Sequence, residues 1–146
     1  MEAVKKYLPW VLIAWIAIVF LPSDFFKLSG DDVSVRLFTK IAEESGIGLF
    51  EPTGRYLVAL AEIAAIVLLV MPARRMLGAL LTLVLMIGAV LTHLLFIGVT
   101  VVDAQGEIVD ASLFGMAVSV VIASLILIWL ERQDDGGEGD AAPAGD

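Results

Sequence analysis

Four long apolar segments dominate this chain of 146 residues and constrain its fold more than any other feature. A helix that crosses the hydrocarbon core of a bilayer needs about 20 mostly apolar residues. Four segments reach or approach that length, and they cover residues 6–22, 54–71, 76–101 and 110–130. Because little sequence remains between them, we predict one all-α domain over residues 1–132, an integral membrane four-helix bundle.

The segment between the first two apolar stretches is too short and too polar to cross a membrane. Asp31 or Asp32 can cap a helix start, and Gly46 can end it. Apolar residues between these points recur at helical spacing, which predicts one apolar face. We therefore expect a short amphipathic surface helix that lies on the bundle or in the headgroup layer. The residues that form its apolar face are Val33, Leu37, Phe38 and Ile41.

Composition narrows the function classes. The chain has no cysteine and one histidine, which removes disulfides, thiol redox chemistry, Cys-based metal sites and a multi-His metal site within one chain. We expect no metal and find no nucleotide motif. The net charge of −8 argues against nucleic acid as a partner. Residues 133–146 are acidic and nearly free of large apolar side chains, which predicts a disordered tail.

The distribution of basic residues predicts the orientation in the membrane. Compact basic clusters lie near the N-terminus, in the turn between spans 2 and 3 and after span 4, whereas the loop between spans 3 and 4 carries no Lys or Arg. Cytoplasmic loops are enriched in Lys and Arg. We expect an inner-membrane protein with both termini in the cytoplasm. The clusters consist of Lys5, Lys6, Arg74, Arg75 and Arg132.

Three ionisable residues fall inside the predicted second and third spans: Arg55, Glu62 and His93. Such residues are costly in lipid, face the bundle interior and have partners. At about 1.5 Å per residue, Arg55 and His93 both lie about 26 Å from the turn, so they are level with each other. We therefore expect these two to meet, with Glu51 on the same helical face as Arg55 and Lys27 joining them. Simple anchoring of Arg55 by Glu51, and a packing role for His93, are the alternatives.

The same count leaves Glu62 near the bilayer midplane, about 15 Å from the turn. No basic residue is obviously level with it, so hydroxyls such as Thr82 or Ser119 are its predicted partners. Because an ion is poorly solvated at that depth, we expect Glu62 to be largely protonated at neutral pH. A functional carboxyl and a structural hydrogen bond between helices both fit this position.

Small residues recur at helical spacing on the later spans, which favours close helix packing. On the third span Gly78 and Thr82 are four residues apart, as are Gly88 and Thr92. On the fourth span a stripe of small residues follows one face. We expect these residues to mark where helices approach each other. The stripe consists of Ser112, Gly115, Ser119 and Ala123.

Several motifs in this order resemble the DoxX family of small membrane proteins. They are FFKLSG after the first span, EPTGRY at the start of the second, PARRMLGA at the turn and a histidine late in the third. The resemblance covers most of residues 10–130 and implies a four-helix bundle. It implies a subunit of a quinone-linked oxidoreductase or a membrane partner in a redox complex. Its strongest residues are Lys27, Gly30, Glu51, Pro52, Arg55, Glu62, Pro72, Gly78 and His93.

Three hypotheses follow. The first is a subunit or binding module of a larger membrane complex that holds a quinone or lipid ligand near Arg55 and His93. The second is an assembly partner without ligand, and the third is a proton-coupled transporter of small molecules that uses Glu62. Membrane lipids and a protein partner, or a second copy of the chain, are the expected partners. The sequence does not decide whether the chain is an enzyme; an enzyme would be a quinone-linked oxidoreductase subunit without thiol chemistry.

Overall fold

Four helices of this protein are long and apolar enough to cross a membrane. The computed structural model describes the backbone of residues 2–102, 108–110 and 112–138, and the side chains of residues 4–101 and 112–133. The α-helices are α1 (Glu2–Ser29), α2 (Asp32–Ser45), α3 (Thr53–Val70), α4 (Arg75–Thr92) and α5 (Leu113–Glu138). All of these except α2 are spans, so the prediction of an all-α integral membrane four-helix bundle is confirmed.

Short irregular elements connect the helices. Single 3₁₀ turns at Gly48–Phe50 and Pro72–Arg74 precede α3 and α4. A π-helical turn, His93–Ile97, extends α4 and ends at Gly98, where φ is 82°. Two short antiparallel strands follow, β1 (Val101–Val102) and β2 (Ile108–Asp110).

The outer surface of the spans carries large apolar side chains, as expected for helices in contact with lipid rather than water. Ile18 is 64% exposed, Leu57 60%, Val84 67% and Ile122 54%. The interior is also apolar and includes Ile16, Phe20, Leu69, Val120 and Leu127. Helices that are apolar on all sides are typical of membrane spans.

The amphipathic helix α2 lies on the bundle, as predicted. The Oδ2 atom of Asp31 accepts a hydrogen bond from the backbone N–H of Val33 at 3.1 Å, which caps the helix start. Gly46 ends it in the left-handed conformation, with φ of 71°. Beneath α2, Phe38 and Ile41 pack with Ile97 of the π-helical turn.

The first span is longer than predicted. The expected end at Pro22 is wrong, because α1 continues through this residue to Ser29. Proline removes one backbone donor, but transmembrane helices tolerate this loss where neighbouring groups satisfy the freed carbonyl. The added two turns carry Asp24 and Lys27 into the bundle, where both are buried.

The N-terminal part of α1, the turn before α4 and the end of α5 meet at one end of the bundle. Nη1 of Arg75 lies 3.3 Å from Oε1 of Glu131, and its guanidinium lies 4.8 Å from the centre of the Trp10 ring. The prediction that these three regions share one end is confirmed. The backbone of α5 is helical to Glu138, beyond the predicted start of the tail at residue 133, and residues 139–146 of that tail lie outside the described residues.

The small residues on α4 have unequal roles. A Cβ atom added to Gly78 would lie 2.7 Å from the backbone nitrogen of Leu69, so this glycine permits the close approach of α3 and α4. Gly88 is exposed, and nothing lies within 4 Å of an added Cβ. On α5, Gly115 is likewise exposed, whereas Ala123 is buried. The predicted packing role therefore holds for Gly78 and Ala123, but not within this chain for Gly88 and Gly115.

Candidate functional site

Lys27 and Glu62 form a buried ion pair between α1 and α3. The Nζ atom of Lys27 lies 2.5 Å from Oε2 of Glu62, and the two residues are 8% and 3% exposed. The prediction that no basic residue lies level with Glu62 is therefore wrong. Glu62 has a cationic partner, Lys27, which the sequence analysis had placed with Arg55 and His93 nearer the end of the bundle.

The direction of the two side chains explains this pairing. Side chains of a helix tilt toward its N-terminus. Helices α1 and α3 run in opposite directions, because the start of α1 and the turn after α3 lie at the same end of the bundle. Lys27 therefore leans toward the middle of the membrane and Glu62 leans toward Lys27. Counting backbone depth ignored both tilts and the length of the lysine side chain.

Asp24 is the third member of this cluster, and the sequence analysis missed it. Nζ of Lys27 lies 3.4 Å from Oδ1 of Asp24 and 2.9 Å from Oγ of Ser23, one turn earlier on the same helix. Asp24 is 2% exposed, and its Oδ2 atom is buried with no hydrogen-bond partner among the described residues. Its position three residues before Lys27 could have predicted this contact. The sequence analysis missed it because the predicted span ended at Pro22.

Arg55 connects the start of α3 to the end of α1. Its Nε and Nη2 atoms donate to the carboxylate of Glu51 at 2.8 and 3.0 Å, so the predicted pair on one helical face is confirmed. Its Nη1 atom donates to the backbone carbonyl of Lys27. Carbonyls in the last turn of a helix have no partner within that helix, and Arg55 supplies one. The guanidinium also lies 4.4 Å from the centre of the Tyr56 ring.

His93 does not meet Arg55, so the predicted pairing of these two is wrong. Its Nδ1 atom lies 2.8 Å from the carbonyl oxygen of Gly98, and the N–H of Gly98 donates to the carbonyl of His93 at 2.7 Å. Since a carbonyl only accepts, Nδ1 carries a proton. The ring also contacts Phe114 edge to face, with centroids 5.8 Å apart. These bonds close the π-helical turn, which accords with the alternative of a packing role.

The predicted hydroxyl partners of Glu62 bond elsewhere. Thr82 donates to the carbonyl of Gly78 at 2.9 Å, in its own helix. Ser119 donates to the carbonyl of Met116 at 2.7 Å and accepts from the indole of Trp15 at 3.1 Å. Serine and threonine in helices commonly bond to a carbonyl one turn back. Neither hydroxyl contributes to the site at Glu62.

The site is thus a network of five charged residues, four on α1 and α3 and one, Glu51, in the turn before α3. It is referred to below as the charged network. It holds three carboxylates and two cations, so it carries one excess negative charge when all five are ionised. Within the part of the chain that the structure describes, no group of three or more Asp, Glu, His or Cys residues could hold a metal ion. The network consists of Asp24, Lys27, Glu51, Arg55 and Glu62.

The chain was compared with protein-family models, curated proteins and solved structures, and none of the three comparisons found a match.

Proposed function

We propose that this chain is a DoxX-like subunit or binding module of a larger membrane complex, and that the charged network and His93 mark the place where it holds a quinone or lipid headgroup. The observation that carries the proposal is the burial of the network between two transmembrane helices. Arg55 is 3% exposed and Glu62 3% exposed. Buried ion pairs add little net stability compared with apolar packing, so packing alone does not account for five charged residues here.

The chemistry of the network suits an oxygen-rich headgroup. Quinone carbonyls and lipid phosphates or esters accept hydrogen bonds, and guanidinium and ammonium groups donate them. Arg55 presents such donors near the end of the bundle that is opposite Arg75 and Trp10, whereas the three N–H groups of Lys27 are engaged by Ser23, Asp24 and Glu62. His93 lies one helix away on the extension of α4. A headgroup that enters from this end would meet Arg55 before it met the deeper Glu62.

The test is the composition of the protein after gentle purification. We expect an absorption spectrum and mass spectrometry to detect a quinone or one lipid class in a fixed ratio to protein, and we expect Arg55→Gln to lower that ratio. Arg36→Gln is the matched control, because Arg36 is 71% exposed in its side chain and lies on α2. A ligand-free wild-type protein would contradict the proposal, as would equal ligand loss in both variants.

The orientation in the membrane is part of the same proposal. The bundle end that holds Arg75, Trp10 and Glu131 faces the cytoplasm of a cell with an inner membrane, because the compact basic clusters lie there. The chain has no cysteine, so a single introduced cysteine reports its own accessibility. Ala73→Cys should react with a membrane-impermeant thiol reagent only in inverted vesicles, and Ile47→Cys only in intact cells. The reverse pattern would invert the topology.

The alternative function is an assembly partner without ligand, and one observation favours it. Gly88 on α4 and Gly115 on α5 are exposed, with open space beside them. Exposed glycines in a membrane helix allow the backbone of a partner helix to come close. Gly88→Cys would then form disulfide-linked dimers or crosslink to a partner, whereas Val67→Cys, 52% exposed on α3, would not. Monomeric behaviour of both variants would contradict this alternative.

A further inference from the structure

We propose that Asp24, Lys27 and Glu62 form a proton-binding site that holds one exchangeable proton on Asp24. These three residues form the deep part of the charged network, and the proton site does not depend on the identity of any ligand. Asp24 is 2% exposed. The proton that the sequence predicts on Glu62 is then held on Asp24, the second carboxyl of the pair.

The geometry places two carboxyls beside one ammonium. Nζ of Lys27 lies 2.5 Å from Oε2 of Glu62 and 3.4 Å from Oδ1 of Asp24. The closer contact identifies Glu62 as the main partner of Lys27. All three residues are less than 10% exposed, so water screens these charges poorly. One ammonium can neutralise only one carboxylate, which leaves a negative charge in the interior.

The neighbouring charges do not remove this excess. On α3, Arg55 is matched by Glu51, to which it donates twice. Residues 76–92 of α4 and 113–130 of α5 contain no charged side chain. His93 is held by Gly98 and Phe114. On α2, Arg36 pairs with Asp32 at 4.0 Å, and both of their side chains are largely exposed. Among the described residues, Lys27 is the one cation that forms an ion pair with Asp24 or Glu62, and Lys40, half-buried on α2, contacts neither.

A proton is the occupant that fits this position. The Oδ2 atom of Asp24 is buried with no hydrogen-bond partner among the described side chains, and the longer 3.4 Å contact of Oδ1 with Lys27 is the ion pair that this carboxyl makes. A metal cation at the same place would lie close to the ammonium of Lys27 and be repelled by it. A proton bound to Asp24 neutralises the excess charge and needs no additional space. The cluster then contains one ion pair and one neutral acid.

The experiment is infrared spectroscopy of the full chain in phosphatidylcholine vesicles at pH 7, in H₂O and in D₂O. A protonated carboxyl gives a C=O band separate from that of carboxylates, and the band shifts in D₂O if the proton exchanges. We expect one such band in the wild-type protein. Growth with aspartate labelled with ¹³C at the side-chain carboxyl should shift it, without any substitution. A band that shifts only with glutamate labelling, or no band at all, would overturn the proposal.

Substitutions test the charge balance behind the proposal. Asp24→Asn removes the protonated group, and Glu62→Gln leaves Asp24 as the sole carboxylate beside Lys27, so both should abolish the band. Asp32→Asn is the control, because its side chain is 89% exposed, and it should leave the band unchanged. Retention of the band in either buried variant would overturn the proposal. The isotope experiment decides the matter if a variant does not fold.

Discussion

Buried polar groups find their hydrogen-bond partners differently at the α1–α3 interface and at the α4–α5 interface. Across α1 and α3, Lys27 bonds to Glu62, and Arg55 bonds to the carbonyl of Lys27. On α4 and α5, Thr82 and Ser124 are completely buried, but each hydroxyl donates to a carbonyl four residues back in its own helix. The ion pair between Arg75 and Glu131 joins these two helices at one end of the bundle.

The two interfaces differ in whether a buried hydrogen bond depends on the position of the neighbouring helix. A hydroxyl that bonds within its own helix keeps that bond whatever the neighbouring helix does. A lysine that bonds to a glutamate on another helix requires the correct rotation, tilt and depth of both helices. We infer that the α1–α3 interface sets the relative position of its helices by specific polar contacts. Away from the Arg75–Glu131 ion pair at the bundle end, the α4–α5 interface does so by shape.

The largest effect is expected from Lys27→Met, which leaves Glu62 and Asp24 buried without their cation. Removing one partner of a buried ion pair costs about 3–5 kcal/mol. We expect the thermal midpoint in detergent to fall strongly. Lys5→Met is the control on the same helix, because Lys5 is exposed and should change little.

A double substitution tests whether this loss of stability comes from the unpaired charge. Lys27→Met combined with Glu62→Met replaces the pair by apolar side chains, and such replacement is often neutral or stabilising. The double variant should recover most of the lost stability. Equal loss in the single and double variants would indicate that the lysine acts through packing of its aliphatic chain, and the contrast between the two interfaces would disappear.

An intermediate effect is expected where the backbones of α3 and α4 approach each other closely at Gly78. In Gly78→Ala the new Cβ would meet the backbone of Leu69 at 2.7 Å, so α3 and α4 must separate. Overpacking of this kind costs about 1–3 kcal/mol. Gly88→Ala is the matched control on the same helix, since its Cβ would enter open space. A comparable loss of stability in both variants would show that helix propensity or lipid contact, rather than the close approach, is responsible.

The smallest effect is expected at the buried hydroxyls of α4 and α5. Thr82→Val and Ser124→Ala each remove a hydrogen bond that lies within one helix. Polar contacts in membrane bundles average about 0.6 kcal/mol, and local ones leave the neighbouring helix undisturbed. Unfolding in graded detergent should therefore show nearly unchanged midpoints. A loss as large as that of Lys27→Met would reveal a bond across helices at this interface.

The periodicity and length of the apolar segments determined most of the fold. They predicted the four spans, the surface helix α2 and the common end of the termini and the turn, since these depend on local chain geometry and hydrophobicity. They also predicted the bond from Arg55 to Glu51, because residues four apart lie on the same face of a helix. Each of these features depends on one segment, or on the number of times the chain crosses the membrane.

Which charged groups meet depends on how the helices pack against one another. In the structure Glu62 pairs with Lys27, Asp24 lies in the interior and His93 lies away from Arg55. Contacts between helices depend on the rotation and tilt of two separate segments, and hydrophobic spacing leaves both variable. A depth count gives the position of the backbone. The charged end of a lysine or glutamate side chain is displaced from it along the helix axis by a distance equal to the rise of several residues. For that reason the spans could be predicted along the chain, but the charged network could not.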